Sequence, residues 1–321
     1  MSERIVHVAD RRHTSSAAPR RVGMFERIPK WLNLIPMVLQ WLWLGLRHRS
    51  LTLPSAVNPR ITAGGLVGDT KSEYFACMGP RARARVAPYV MLRLTGGDML
   101  ATASAAIRDA GLVFPLVAKP DLGWCGFGVR RLDDALDLAD YLARYPVGEA
   151  LMLQRYLDEP GEAGIFYVRR PGQSRGWLLG ILLRHYPQVT GDGVSTVAQL
   201  IENDPRLQRA TRNQREHECQ HDPDEVPPPG DSVRLSLIGS TRVGGRYEDG
   251  SAAASEELLA AIEAVASDMP QFHAGRFDVR YRTLKDLRRG RFTIIEVNGA
   301  GSEAGLRGRG HIDAAGRPAG G

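Results

Sequence analysis

Cysteine and lysine are both scarce in this chain of 321 residues. Its three cysteines, Cys77, Cys125 and Cys219, are odd in number and widely spaced. That pattern excludes a disulfide framework and predicts a reducing, cytoplasmic location. Only four of the basic residues are lysines and the rest are arginines. A lysine here is therefore worth noting, since a compact ammonium suits a tight phosphate site.

Long apolar runs are also missing, with one exception at residues 31–46. Asn33, Pro36 and Gln40 interrupt this run, and it is too short for a membrane-spanning helix. The pattern favours a buried helix of an N-terminal region. Weak contact with a membrane surface is the alternative reading.

No basic face is evident in the body of the sequence, although the formal net charge is +6. Residues 1–23 carry an excess of three basic residues and residues 305–321 an excess of two. The remainder is nearly neutral, which argues against a dedicated nucleic-acid binder. We expect both end segments to lack fixed structure, the last one as a disordered or truncated tail.

A glycine-rich turn follows directly on a buried apolar run that ends at Lys119. Gly123, Gly126 and Gly128 would let backbone N–H groups approach an anion closely, and a strand would fix the direction of the ammonium. The order of the glycines is not that of the dinucleotide fingerprint, and the stretch around Lys71 is not a complete Walker A motif. The pattern predicts a phosphate site, with a simple hairpin turn as the alternative.

Oxygen-bearing side chains recur in the two strands expected at 276–281 and 291–298. Asp278 shares a face with Arg276 and Arg280, because side chains alternate along a strand. Glu296 and Asn298 share a face for the same reason. If the strands are neighbours, these groups converge into a site for Mg²⁺ or Mn²⁺. Exposed acids balanced by the two arginines are the alternative.

Five segments in this order resemble the ATP-grasp superfamily, and most closely ligases of the D-alanine–D-alanine ligase and cyanophycin synthetase type. The resemblance covers about residues 89–304. It is carried by Lys119 with its turn and by the segments 153–162 (LQRYLDEPGE), 191–201 (GDGVSTVAQLI), 276–278 (RFD) and 296–303 (EVNGAGSE).

The resemblance implies an α+β fold in which two α+β lobes clasp ATP. A small lobe would span residues 89–155 and a large lobe with the metal site 156–304. A mainly helical N-terminal region, residues 24–88, would precede them.

The resemblance also assigns roles to individual residues. Lys119 and the turn with Gly123, Gly126 and Gly128 would hold the phosphates, and Gln154 and Tyr156 would lie near the adenine. Glu162 would meet the ribose or the adenine side. Lys71 is either a second phosphate lysine or a surface residue. The metal ligands would be Asp278, Glu296 and Asn298, and the catalytic arginines Arg276 and Arg280.

The implied activity is that of an ATP- and magnesium-dependent ligase that joins a carboxylate to an amine or thiol through an acylphosphate. Its substrates would be small amino acids or peptides. The alternative is a catalytically impaired nucleotide-binding protein of the same fold, because the segment after residue 304 departs from the family pattern. The sequence leaves the oligomeric state open.

Overall fold

The computed structural model describes residues 30–122, 126, 128–211 and 222–302. Within them lie two antiparallel sheets, of four and five strands, and a pair of short strands. The expected segments 1–23 and 305–321 and Gly123 fall outside the described residues. The α+β prediction is confirmed.

The N-terminal region is helical. It contains α1 (Lys30–His48), two 3₁₀ turns at Leu53–Ala56 and Thr62–Gly65, α2 (Lys71–Ala76) and α3 (Pro80–Arg83). Thr70 caps α2 by accepting a hydrogen bond from the Glu73 N–H. No strand occurs between residues 30 and 88, which agrees with the expected helical region.

The smaller sheet is formed by β1 (Tyr89–Arg93), β2 (Leu116–Pro120), β3 (Arg130–Leu132) and β4 (Ala150–Arg155), in the spatial order β1–β4–β2–β3. Helices α4 (Met99–Asp109) and α5 (Ala135–Arg144) enclose its core with leucines such as Leu116, Leu138 and Leu151. Asp98 and Asp134 cap the two helices. These strands and helices lie within residues 89–155, and the assignment of that range to a small lobe stays a prediction.

The larger sheet has the order β11–β10–β5–β6–β9, and every neighbouring pair is antiparallel. Its strands, in chain order, are β5 (Gly161–Val168), β6 (Trp177–His185), β9 (Arg246–Asp249), β10 (Ala274–Tyr281) and β11 (Thr293–Asn298). Helix α8 (Glu256–Ser267) packs Leu258, Ile262 and Val265 into the core that includes Ile165 and Phe277 of the sheet.

The remaining short elements lie between and beside these strands. The strand β8 (Ser232–Arg234) pairs with β7 (Gln188–Thr190), whereas β9 pairs with β6. A further helix, α7 (Pro205–Thr211), follows α6 (Val197–Glu202), and a short α9 (Leu284–Arg288) joins β10 to β11.

The N-terminal region is built into the core of the larger sheet. Ile61, Tyr74 and Phe75 belong to the same apolar cluster as Phe277 and Val279. The Asn58 carboxamide is fully buried, donates to the carbonyls of Gly64 and Ala274, and accepts from the N–H of His273 at 2.8 Å. These contacts set the position from which α2 begins.

Candidate functional site

Alternation along the strands gives the larger sheet one apolar face and one charged face. Phe277 and Val279 of β10 are buried against α8, while Arg276, Asp278 and Arg280 point to the opposite face. The register pairs Asp278 with Glu296 and Arg276 with Asn298. The two closing strands are therefore neighbours, as the sequence analysis required.

Asp278 is the centre of the charged face and is almost fully buried. Arg276 donates to both of its carboxylate oxygens, at 2.7 and 3.0 Å, and Arg184 of β6 approaches to 3.2 Å. Asn298 Nδ2 also donates to it at 3.0 Å. Burial alone would raise the pKa of Asp278, but Arg184 and Arg276 outweigh burial and hold that pKa below its usual range.

Gly164 of β5 makes room for this cluster. It pairs with Asp278 across the strands, and a Cβ at Gly164 would come within 2.8 Å of Arg276 Cδ and 3.2 Å of Asp278 Oδ1. Since glycine has no side chain there, the side chains of Arg276 and Asp278 can occupy that space. A larger residue would push the charged groups apart.

Glu162 binds a second group of cations on the same face. Its carboxylate accepts from Arg184 at 3.0 Å and from the Tyr186 hydroxyl, and it lies 3.6 Å from Arg280. Arg280 also donates to the Tyr186 hydroxyl at 2.5 Å, and the Arg234 guanidinium stacks over the Tyr186 ring. Glu162 is thus held by arginines on the sheet, while its predicted contact with ribose or adenine remains a prediction.

Lys119 enters from the smaller sheet and is buried. Its ammonium donates to Gln154 Oε1 at 2.7 Å and to the carbonyl of Ile295 at 3.2 Å. Ile295 has no partner across the sheet because the β10–β11 register shifts beside it. Burial lowers the pKa of Lys119 to about 8, against the opposing influence of Glu296.

Lys71 lies beside Lys119 rather than on the surface, so the surface alternative for Lys71 is wrong. Its side chain is 7% exposed, donates to the carbonyl of Pro120 at 2.9 Å, and forms an ion pair of 3.5 Å with Glu296. Asp121 holds α2 in place, since its carboxylate accepts from the N–H and the hydroxyl of Ser72 at 2.8 and 2.6 Å.

The turn after Lys119 is described only in part. Gly126 and Gly128 have φ values of +88° and +71°, which favour glycine. A Cβ at Gly126 would come within 2.4 Å of Ile238, so the turn touches the larger lobe. Residues 123–125 and 127 of the turn lie outside the described part. The phosphate role of the turn therefore stays a prediction.

The predicted adenine residues have structural partners. Gln154 is buried, and besides accepting from Lys119 it donates to the carbonyl of Ala87 at 3.3 Å. The Tyr156 ring lies under Arg131, and its N–H donates to the carbonyl of Pro115. Gln154 therefore holds the lysine, and contact of either residue with adenine remains a prediction.

The oxygen donors are of the type that a hard divalent cation prefers. They are not all available to bind one, because some already have hydrogen-bond partners. Glu296 is partly exposed, with 30% of its side chain accessible, and Asn298 is its neighbour on the same face. Asp278 is already engaged by two arginines and the Asn298 amide. Within the described residues there is no cluster of three His, Cys, Asp or Glu side chains with metal-ligand geometry.

Sequence reasoning missed Arg184, Tyr186 and Asp121. Arg184 lies next to the end of a strand that is otherwise apolar up to that point, and this charge was a usable signal. Its partner is nevertheless set by the pairing of β6 with β5. Tyr186 and Asp121 lie in connections whose path the sequence does not reveal. Tyr186 nevertheless links two cations to one carboxylate.

Comparison with known proteins gives structural neighbours only. A scan of family models and a search of the curated proteins found no match. Similar solved structures include a bifunctional glutathione synthetase from Pasteurella multocida (18% identity, TM-score 0.36, 73% of this chain and 32% of that chain) and a D-cycloserine synthetase (15%, 0.41, 76% and 65%). Another is the VanG D-Ala:D-Ser ligase from Enterococcus faecalis (12%, 0.42, 74% and 53%).

These solved structures are all ATP-grasp enzymes, the superfamily that the sequence motifs resemble. The chain spans between 32% and 65% of their lengths. The likeness concerns the fold and says nothing of the substrates of this chain.

Proposed function

We propose that the protein binds ATP between its two sheets and uses it to join a carboxylate to an amine or thiol. The observation that carries the nucleotide part is the convergence of positive charge in the cleft. Five basic side chains meet there, and within the described residues four of them form ion pairs with three carboxylates. The basic residues are Lys71, Lys119, Arg184, Arg276 and Arg280; the carboxylates are Glu162, Asp278 and Glu296.

Two buried donors in this cleft lack partners. The Nε atoms of Arg184 and Arg280 are buried without a hydrogen-bond acceptor in the described part of the chain. A buried N–H without an acceptor is costly. A polyanion such as a triphosphate would supply acceptors for these two N–H groups and negative charge for the cations around them.

The two lysines and the arginines would bind different parts of the nucleotide and the transferred group. Lys119 and Lys71, fixed by Gln154 and by Asp121 with Ser72, would bind phosphate oxygens. Arg276 and Arg280 would stabilise negative charge on the transferred group, which is the largest need in phosphoryl transfer. Glu296, Asn298 and Asp278 would hold Mg²⁺, which when bound neutralises phosphate charge.

The ligase part rests on the order of the sequence motifs. A carboxylate is a poor electrophile, so its oxygen would first attack the γ-phosphorus of ATP and release ADP. The amine or thiol would then displace phosphate from the acylphosphate. Water must be excluded during this interval, and the glycine turn that contacts Ile238 is placed to help do so.

The test is to measure ATP binding by calorimetry and ADP release with a panel of amino acids and dipeptides. We expect magnesium-dependent binding and ADP release that requires both an acid and an amine. ATP binding with no ADP release from any pair would favour the nucleotide-binding alternative. Absence of ATP binding by the folded protein would contradict the whole proposal.

A further inference from the structure

The first described helix, α1, exposes an unusual amount of apolar surface. Leu46 is 80% exposed, Leu39 61% and Trp43 56%, and five other large apolar side chains of the helix are also exposed. They are Ile35, Val38, Trp41, Leu42 and Leu44. At 100° per residue, the exposed apolar side chains cover most of the helix circumference, and the exposed Gln40 and Arg47 share the remaining side.

The described side chains of helix α1 are not part of the protein interior. None of the three apolar cores of the described residues contains a side chain from it. Its described attachments are at its C-terminal end, where Trp41 donates to the carbonyl of Leu51 at 3.1 Å and Gly45 packs beneath the Leu51 side chain. The sequence-based reading of a buried helix is therefore wrong, and this surface needs another cover.

The charges around α1 have one sign. Residues 1–50 contain nine basic and three acidic residues, an excess of six that equals the formal net charge of the entire chain. Between Glu26 and Asp69 there is no acidic residue, whereas Lys30 precedes the apolar stretch and Arg47 and Arg49 follow it. The helix is thus an apolar segment flanked on both sides by positive charge.

These observations indicate what kind of partner covers the exposed apolar surface of α1. A second copy of the chain would bring two strongly basic segments together, which repel each other. An anionic lipid surface attracts basic residues while its acyl boundary accepts leucines and tryptophans. Among the described residues no helix is long and apolar enough to cross a membrane. We propose that α1 lies in the interface of an anionic lipid membrane and attaches the protein to it.

The experiment is flotation of the full-length protein with two kinds of vesicle. One is phosphatidylcholine alone, and the other is phosphatidylcholine mixed with phosphatidylglycerol. We expect binding to the anionic vesicles that weakens as salt is added, and little binding to the neutral ones. Tryptophan emission should shift to shorter wavelength on binding, because Trp41 and Trp43 enter the apolar boundary.

Two leucines with equal exposure provide the matched variants. Leu46→Glu places a charge on α1, whereas Leu136→Glu changes a residue of α5 that is 79% exposed. We expect Leu46→Glu to reduce binding to anionic vesicles by at least about tenfold, with Leu136→Glu unchanged. Thermal melting should be the same in both, since both sites are exposed.

Three results would overturn the proposal. They are equal binding to neutral and anionic vesicles, unchanged binding of Leu46→Glu, and no vesicle binding by a chain that sediments as an oligomer and becomes monomeric on Leu46→Glu. The last result would show that a second copy covers the helix. None of them bears on ATP binding, which is measured separately in the cleft.

Discussion

The two sheets supply charge to the cleft in different ways. The larger sheet presents a face on which each cation has a carboxylate partner: Arg184, Arg276 and Arg280 share Glu162 and Asp278. The smaller sheet contributes Lys119, whose two hydrogen-bond partners are neutral oxygens, and no described carboxylate is in ion-pair contact with it. The cations of one sheet are ion-paired, whereas the cation of the other has only neutral partners among the described residues.

This difference shows where binding energy can come from. Breaking an ion pair within the larger sheet would leave a buried charge without its partner and destabilise the fold, so these groups gain less from a new anion than Lys119 does. A buried ammonium with neutral partners costs stability, and that cost is recovered when an anion binds. The smaller sheet therefore contributes more to ligand affinity per residue. The larger sheet mainly fixes the positions of the groups that surround the ligand.

The largest expected effect is on nucleotide binding when Lys119 is replaced. Lys119→Met should weaken ATP affinity on the order of 100-fold, because a buried charged contact with phosphate is lost. Thermal stability at pH 7 should stay the same or rise, since the pKa of about 8 in the folded protein lies below the ordinary lysine pKa of 10.5 and burying the ammonium costs stability at that pH. Calorimetry and melting curves measure both.

Lys285→Met is the matched control, because Lys285 is an exposed lysine of α9. It should bind ATP like the unmodified protein. If Lys119→Met bound ATP equally well, the smaller sheet would not supply the phosphate contact.

A loss of stability, the opposite of the result expected for Lys119→Met, is expected when the larger sheet is disturbed. Asp278→Asn leaves Arg184 and Arg276 buried without their shared carboxylate, and this should lower the free energy of unfolding by about 3 kcal/mol. Urea denaturation measures the change. Asp109→Asn, an exposed position at the end of α4, is the control and should change it by less than about 0.5 kcal/mol.

An effect of similar size in both aspartate variants would mean that Asp278 is not a stabilising centre. It would also remove the distinction between a sheet whose cations are ion-paired and a sheet whose lysine has neutral partners.

The pH dependence of ATP affinity should report Lys119. The ammonium is protonated below pH 8 and loses its proton above it, so affinity should be nearly constant from pH 6.5 to 7.5 and fall by up to about tenfold per pH unit above 8. Titrations across this range measure it. The same dependence in Lys119→Met would assign the change to another group.

The smallest effect is expected for Gln154→Glu, which gives Lys119 a carboxylate partner like those of the larger sheet. The new charge should raise the pKa of Lys119 and shift the fall in affinity to higher pH. Affinity at pH 7 should weaken by roughly several-fold, because the carboxylate competes with phosphate. Gln154→Met, which lacks the charge, should weaken affinity without moving the pH profile upward.

The sequence predicted the closing strands well because their evidence was local. Alternation placed Arg276, Asp278 and Arg280 on one face, and the short connection made β10 and β11 neighbours. Lys119 followed from an apolar run with glycines behind it. Each inference needed only residues close together in the chain.

Arg184, Gln154 and Lys71 could not be placed in the same way. Arg184 reaches Asp278 only because β6 pairs with β5 and β5 pairs with β10. Lys71 reaches Glu296 only because α2 begins beside Asp121, and that contact joins residues 49 positions apart. Such contacts depend on long-range packing, which no local pattern encodes.

The burial of Asn58 has a practical consequence for any shortened form of the protein. A version beginning at Tyr89 would retain every strand of both sheets, yet it would lose Asn58 and, with it, the hydrogen bonds that tie the preceding chain to Ala274. Ile61, Tyr74 and Phe75 would also be missing, leaving bare the apolar surface that they cover. Such a fragment should aggregate instead of serving as a minimal nucleotide-binding unit.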